Sequence, residues 1–191
     1  FNFDVDLNYN SRYLTAPAYG LKKISDLFTA RQLNTLTTFR NLILETTAQI
    51  QSDAINAGFQ DDQIGLEDGG KGAKAYAELI TIYLSFGLDR SADYWTSLCY
   101  WKQTRIGNIF ARQAIPMVWD FAEANPFSAS SGNWRSSIGY VAECIKFSFP
   151  NRENGIIKQL DTTKALPSEN SKYMIITDPP YYDNIAYADL S

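Results

Sequence analysis

The chain contains no histidine among its 191 residues, only two cysteines, and no apolar run near the roughly 20 residues that span a bilayer. Without histidine, a Ser-His-Asp triad is excluded within this chain, and a histidine-built metal site with it. Cys99 and Cys144 stand too far apart to read as a zinc ribbon or a disulfide framework. No signal peptide opens the chain, so a cytoplasmic location is expected, with no membrane partner. The 17 basic residues are outnumbered by 21 acidic ones. The resulting charge of −4 argues against broad, nonspecific nucleic-acid binding but leaves room for a local basic face.

What remains is an ordinary globular composition, 45% hydrophobic and 14% aromatic. A compact chain of this length buries about 70% of its unfolded surface, enough for a real core. The first residue is Phe1 rather than Met, and the last, Ser191, directly follows the most informative stretch. These ends suggest a fragment of a longer protein.

Residues 1–18 are polar and aromatic without a period and predict an extended lead-in. Thr29 followed by Gln32 matches a capping box. Leu33, Leu36, Phe39, Ile43 and Ile50 then recur at helical spacing, predicting a helix over about 30–57 that ends at Gly58. Residues 58–72 mix glycines with Asp61, Asp62, Glu67 and Asp68 and read as an acidic loop; the alternating ligand spacing of a calcium loop is absent. A second helix is predicted over about 73–95, with Tyr76, Leu79, Ile80, Tyr83, Leu84 and Leu88 on one face. Gly87 within it suits close helix packing.

Aromatics interleave with Lys102 and Arg105 over residues 94–105. Two readings stand: a stacking platform for bases, or a helix end whose rings join the core while its charges face water. A helix is predicted over 108–124, kinked at Pro116, and a turn at Asn125-Pro126-Phe127. Asn133 is placed to cap another helix, on which Trp134, Ile138, Val141 and Ile145 share a face. Two apolar runs, 155–160 and 173–177, read as parallel strands, the first ending at Asp161. No internal repeat is visible.

The second run stops at Thr177-Asp178-Pro179-Pro180-Tyr181-Tyr182. Neither proline can donate to a ladder, so the strand must end there. Beyond it lie a carboxylate, carbonyls held by two rigid rings, and aromatic faces. That set suits a flat base bearing an amino group, its two N–H bonds accepted by Asp178 and a nearby carbonyl while a ring stacks on it.

Asp178-Pro179-Pro180-Tyr181 resembles the signature of amino-methyltransferases, which move a methyl group from S-adenosylmethionine to an exocyclic nitrogen. The longer run from Thr177 through Asp183-Asn184-Ile185-Ala186-Tyr187-Ala188-Asp189-Leu190 to Ser191 resembles a narrower group, the large prokaryotic adenine-specific DNA methylases, some with a zinc-ribbon insertion. Residues 19–36, the run 112–127 and Ser131-Gly132-Asn133-Trp134 resemble that group as well. The resemblance implies an α/β, helix-rich chain. A large helical region over 1–125 would precede a partial Rossmann-like class I methyltransferase core over 126–191, with parallel strands near 155–160 and 173–177.

The resemblance also implies roles. Asp178 and the Pro179 carbonyl would grip the amino hydrogens and turn the nitrogen lone pair toward the methyl donor, through positioning and electrostatics rather than covalent catalysis. Pro180 would hold that clamp rigid and Tyr181 would stack on an extruded base. Tyr182, Asp183 and Asn184 would shape the substrate pocket. Asp161 stands where the family often carries Gly-Asp-Ala beside the cofactor's adenine; here the run is Leu160-Asp161-Thr162, and a capping role fits Asp161 equally well.

The family's glycine-rich cofactor turn is missing: the dense glycines at 65–72 follow no strand and sit among acids. The leading expectation is thus a piece of an S-adenosylmethionine-dependent DNA adenine N6-methyltransferase, inactive alone, acting on DNA and belonging to restriction-modification or another defence system with its own partners. The alternatives are an RNA or protein amino-methyltransferase, and a helical interaction or target-recognition module of a defence complex.

Overall fold

A computed structural model describes residues 4–148, 161 and 176–179. The longest element, α1 (Ala30–Asn56), starts where Thr29 leaves extended backbone. Gln32 N–H donates to the Thr29 hydroxyl at 3.2 Å, and Thr29 N–H donates to Gln32 Oε1 at 2.8 Å, the reciprocal pair expected of the capping box. The helix closes through Phe59 N–H on the Ala54 carbonyl and Gly58 N–H on Ile55, with Gly58 at φ +95°. This is a Schellman end, which requires the left-handed conformation glycine adopts freely.

Leu36 and Ile43 are buried on one face of α1, and that face meets α2 (Ala73–Ala92). The Phe59 and Tyr76 rings lie 4.9 Å apart and the Thr47 and Thr81 hydroxyls 2.8 Å, so the two helices run antiparallel. The start of α2 buries only alanines, Ala73, Ala75 and Ala77, which lets the 58–72 loop fold closely over it. Its far end packs on α3 (Trp134–Ser148) at Gly87. A Cβ there would come within 2.3 Å of Ile138, so the glycine sets the approach of the two helices. Asn133 caps α3 by accepting from Ser136 N–H at 2.8 Å, and the Ser91 and Ser137 hydroxyls join α2 to α3.

The second helix ends at Ala92, short of the predicted 95. Beyond it, the Leu27 carbonyl draws the chain away, accepting from the Thr96 hydroxyl at 2.6 Å and from Ser97 N–H at 2.8 Å. The hairpin β1 (Tyr100–Lys102) and β2 (Arg105–Gly107) follows, antiparallel, with Trp101 opposite Ile106. It is the only sheet among the described residues.

That sheet overturns the expected parallel Rossmann-like core. Ile176 and Thr177, assigned to a buried strand, carry no strand, and Ile176 is 85% exposed. An apolar run makes a central strand only when both its faces are covered, and this side chain is not. Residues 155–160 and 173–175 lie outside the described residues.

Two further expectations fail. Residues 108–124 form no helix. Ile115 N–H donates to the Tyr13 carbonyl, Thr15 N–H to Ile115, and Met117 N–H to the Thr15 hydroxyl. With Pro116 unable to donate, this segment finds its partners across the chain rather than along a helix. Residues 13–16 are accordingly no lead-in: Leu14 and Ala16 are fully buried with Leu27, Leu98, Ile109 and Ile115. A second cluster joins Leu36, Trp95, Cys99, Ile106, Ala122 and Ala124.

Gly132 lies at φ +80°, where a Cβ would stand 2.9 Å from that of Ala124 and 3.0 Å from that of Tyr94. Gly132→Ala should destabilise the fold by about 1–3 kcal/mol, from left-handed strain before any clash. A urea midpoint equal to that of the wild type would contradict this.

Candidate functional site

The sequence-derived site is partly in view. Asp178 and Pro179 are exposed and outside regular structure. Asp161 is exposed too. Pro180, Tyr181, Tyr182, Asp183 and Asn184 lie outside the described residues.

The glycine-rich stretch at 65–72 has a structural purpose. A Cβ on Gly70 would meet the Ile64 carbonyl oxygen at 2.2 Å, and one on Gly72 the Gln60 oxygen at 2.4 Å. These glycines let the loop fold back on itself. Its donors face protein acceptors: Leu66 N–H donates to the Glu78 carboxylate at 2.6 Å, and Gly70 N–H to the Gly65 carbonyl. With Glu78 already at the loop, an anionic ligand would meet repulsion rather than free N–H groups. No group of three acidic, cysteine or histidine side chains among the described residues is placed to hold a metal.

The 94–105 segment divides between its two readings. Trp95 is 1% exposed and joins the core, although from a turn rather than a helix. Trp101 is 59% exposed on the hairpin that carries Lys102 and Arg105. Lys102 Nζ sits 5.1 Å from the centre of the Tyr100 ring, a cation–π distance.

A mixed polar and aromatic cavity opens at the start of α1. Its volume is about 420 Å³, and Arg31, Gln32, Trp95, Glu123, Asn125 and Phe127 are among its walls. That lies within the span of about 300–1,000 Å³ typical of small-molecule sites. Arg31 grips Glu123 through both fork positions, Nε at 2.8 Å and Nη2 at 2.6 Å. That paired hydrogen bonding holds the Glu123 carboxyl below the usual carboxylate range. Asn125 Oδ1 accepts from Phe127 N–H at 2.9 Å and Ser128 N–H donates to the Asn125 carbonyl, confirming the predicted turn. The turn leaves the Phe127 ring 83% exposed, 6.0 Å from Phe39.

Gln32 is only 3% exposed, and its Nε2 has no hydrogen-bond partner. Because Oε1 is committed to Thr29 N–H, the amide is oriented and its two N–H donors point elsewhere.

Compared with family models, curated proteins and solved structures, the chain finds no match. The site therefore rests on its own residues.

Sequence reasoning found Gln32 as a capping residue but not as a cavity wall. Nothing local could bring Arg31 and Glu123 together, since the fold joins residues 92 positions apart. Asn125-Pro126-Phe127 was legible as a turn; the exposure of its ring was not.

Cys99 is fully buried and its thiol is pushed up to about 11, mainly by burial, whereas Cys144 is exposed. An aromatic disulfide reagent at pH 8 should therefore label one thiol in the folded chain and a second only on unfolding. Two rapidly labelled thiols before unfolding would refute this placement of Cys99.

Proposed function

We propose that this chain supplies the amine-gripping loop of an S-adenosylmethionine-dependent amino-methyltransferase acting on N6 of adenine in DNA. The observation that carries the reading is the run Thr177-Asp178-Pro179-Pro180-Tyr181-Tyr182, an acid followed by two prolines and two aromatics. Exposure of Asp178 and Pro179 supports it, because a clamp must face the space its substrate enters.

The chemical demand is specific. An exocyclic amine has its lone pair delocalised into the ring and is a weak nucleophile. Two acceptors aimed at its hydrogens favour a more tetrahedral nitrogen and place the lone pair toward the donor carbon. The methyl donor would supply the carbon, while Asp178 and the Pro179 carbonyl would hold the amine facing it. The amine proton departs to solvent or to a carboxylate within reach.

S-adenosylmethionine would supply the activated methyl group. The sequence holds no glycine-rich turn after a strand to receive it, which supports weak cofactor binding by this chain alone. Calorimetry on the 191-residue chain should accordingly give no micromolar binding of S-adenosylmethionine; a saturable micromolar isotherm would sink that expectation.

A second reading is favoured by the helices. The α1–α2 hairpin presents Leu42, Leu44, Ile82 and Phe86 to solvent, as a helical recognition module would. The discriminating measurement is transfer of labelled methyl groups to DNA by the full-length protein. Asp178→Ala should lower the rate by about 10²–10³-fold, the usual loss on removing one preorganised electrostatic contact. Unchanged transfer by the variant would remove Asp178 from its role.

A further inference from the structure

The β1–β2 hairpin builds a local basic face on a chain whose net charge is −4. Residues 94–119 hold Lys102, Arg105 and Arg112 and no acid. The antiparallel register sets Lys102 opposite Arg105 and Tyr100 opposite Gly107. Residues opposite each other across a ladder share a face, as do residues two apart on one strand. One face of the hairpin thus carries both cations and the Tyr100 ring, while Trp101 and Ile106 belong to the other.

The Tyr100 ring lies across Gly107. A Cβ at 107 would stand 2.6, 2.7 and 2.8 Å from three of its ring carbons. The missing side chain lets the ring lie flat against the strand, with its outer face turned away from the backbone. Lys102 Nζ sits 5.1 Å from the ring centre. Arg105 is exposed, and Lys102 and Tyr100 are half-buried. Neither cation takes part in the ion pairs among the described residues. The acids that flank the stretch are engaged elsewhere. Asp93 accepts from Asn108 Nδ2 and Phe110 N–H, and Asp120 from Trp101 N–H and Phe121 N–H.

We propose that this face binds a single-stranded nucleic acid, with a base stacked on Tyr100 and backbone phosphates paired with Lys102 and Arg105. Two neighbouring cations without carboxylate partners call for a polyanion. A ring fixed beside them calls for a flat partner, and a single strand supplies both, a phosphate and an unpaired base at every nucleotide. An acidic peptide would answer the cations and leave the ring bare. A duplex would offer phosphates with its bases already stacked on one another. Lys102, on its flexible four-carbon stem, can leave the ring for a phosphate as a base arrives. Charge and ring geometry carry this site, independently of whether the Asp178 loop grips an amine.

The probes are a fluorescein-labelled oligothymidylate and an oligouridylate of about 15 nucleotides, near the upper site size of such surfaces. Each is titrated into the 191-residue chain and followed by fluorescence anisotropy. Saturable binding of at least one is expected, and the pair separates a DNA strand from an RNA strand. Arg105→Gln should flatten the slope of log affinity against log salt by about 0.7, the share of one phosphate contact on a single strand. Tyr100→Leu should weaken binding about tenfold through lost stacking. Tyr100→Phe keeps the ring and should bind as the wild type does.

Asp178→Ala should also bind both probes as the wild type does, so failure of the methylation reading and failure of this site are read separately. The proposal is overturned by the absence of saturable binding of either strand, or by wild-type affinity in Tyr100→Leu. An unchanged salt slope in Arg105→Gln, or equal competition by polyglutamate or by a paired duplex of the same length, would overturn it as well.

Discussion

Trp95 is the point at which otherwise separate pieces of this chain are tied together. It lies in the turn after α2, almost fully buried, with its ring 5.2 Å from that of Phe39 on α1. Its indole N–H donates to the Gly132 carbonyl at 2.7 Å, just before α3 begins. Cys99, Ile106, Ala122 and Ala124 complete its surroundings. An indole offers a large apolar body and one obligatory donor. The body draws α1, the hairpin and the 122–124 segment inward, and the donor fixes where the chain must turn into α3. Gly132 meets that demand because only a residue at ease with positive φ can present its carbonyl there without driving a side chain into Tyr94 and Ala124.

A second constraint acts through the backbone. The Leu27 carbonyl accepts from the Thr96 hydroxyl, the Ser97 hydroxyl and Ser97 N–H, at 2.6 to 2.8 Å. One oxygen thereby replaces the donors' lost helical partners once α2 has ended. The same segment carries Phe28 and leads directly to the Thr29 cap of α1. The end of one helix is thus fastened to the beginning of the other, and the cavity opens at the start of α1, between Trp95 and the 123–127 segment.

Both ends of α1, the start of α2 and the cap of α3 were legible because they are written locally. A capping box spans four positions, a Schellman end needs a glycine at one place, and apolar residues spaced three and four apart need no knowledge of the rest of the chain. Residues 108–124 show the opposite case. Their apolar content was enough to suggest a helix, but Pro116 withheld a donor and the 13–15 segment offered distant partners, so long-range pairing decided the outcome. The strand assigned to 173–177 does not hold at Ile176 and Thr177, for a related reason. Its apolar run implied burial on both sides, and whether Ile176 is covered depends on packing that no local pattern contains. At the candidate site, Asp178 was legible by residue type, while the Arg31–Glu123 pair and the isolated amide of Gln32 exist only after folding.

The amide of Gln32 shows how a buried cap sets one cost against another. Leaving a buried donor unsatisfied costs about 1–3 kcal/mol, a substantial part of the margin by which a domain is stable. The capping box does not need the donor, since glutamate would accept from Thr29 N–H equally well and would interact favourably with the helix N-terminus. At 3% exposure, however, an ionised glutamate would lose its hydration, so the neutral amide is the cheaper cap at position 32. The unmet N–H is the smaller of the two costs, which is why a buried capping box can carry glutamine.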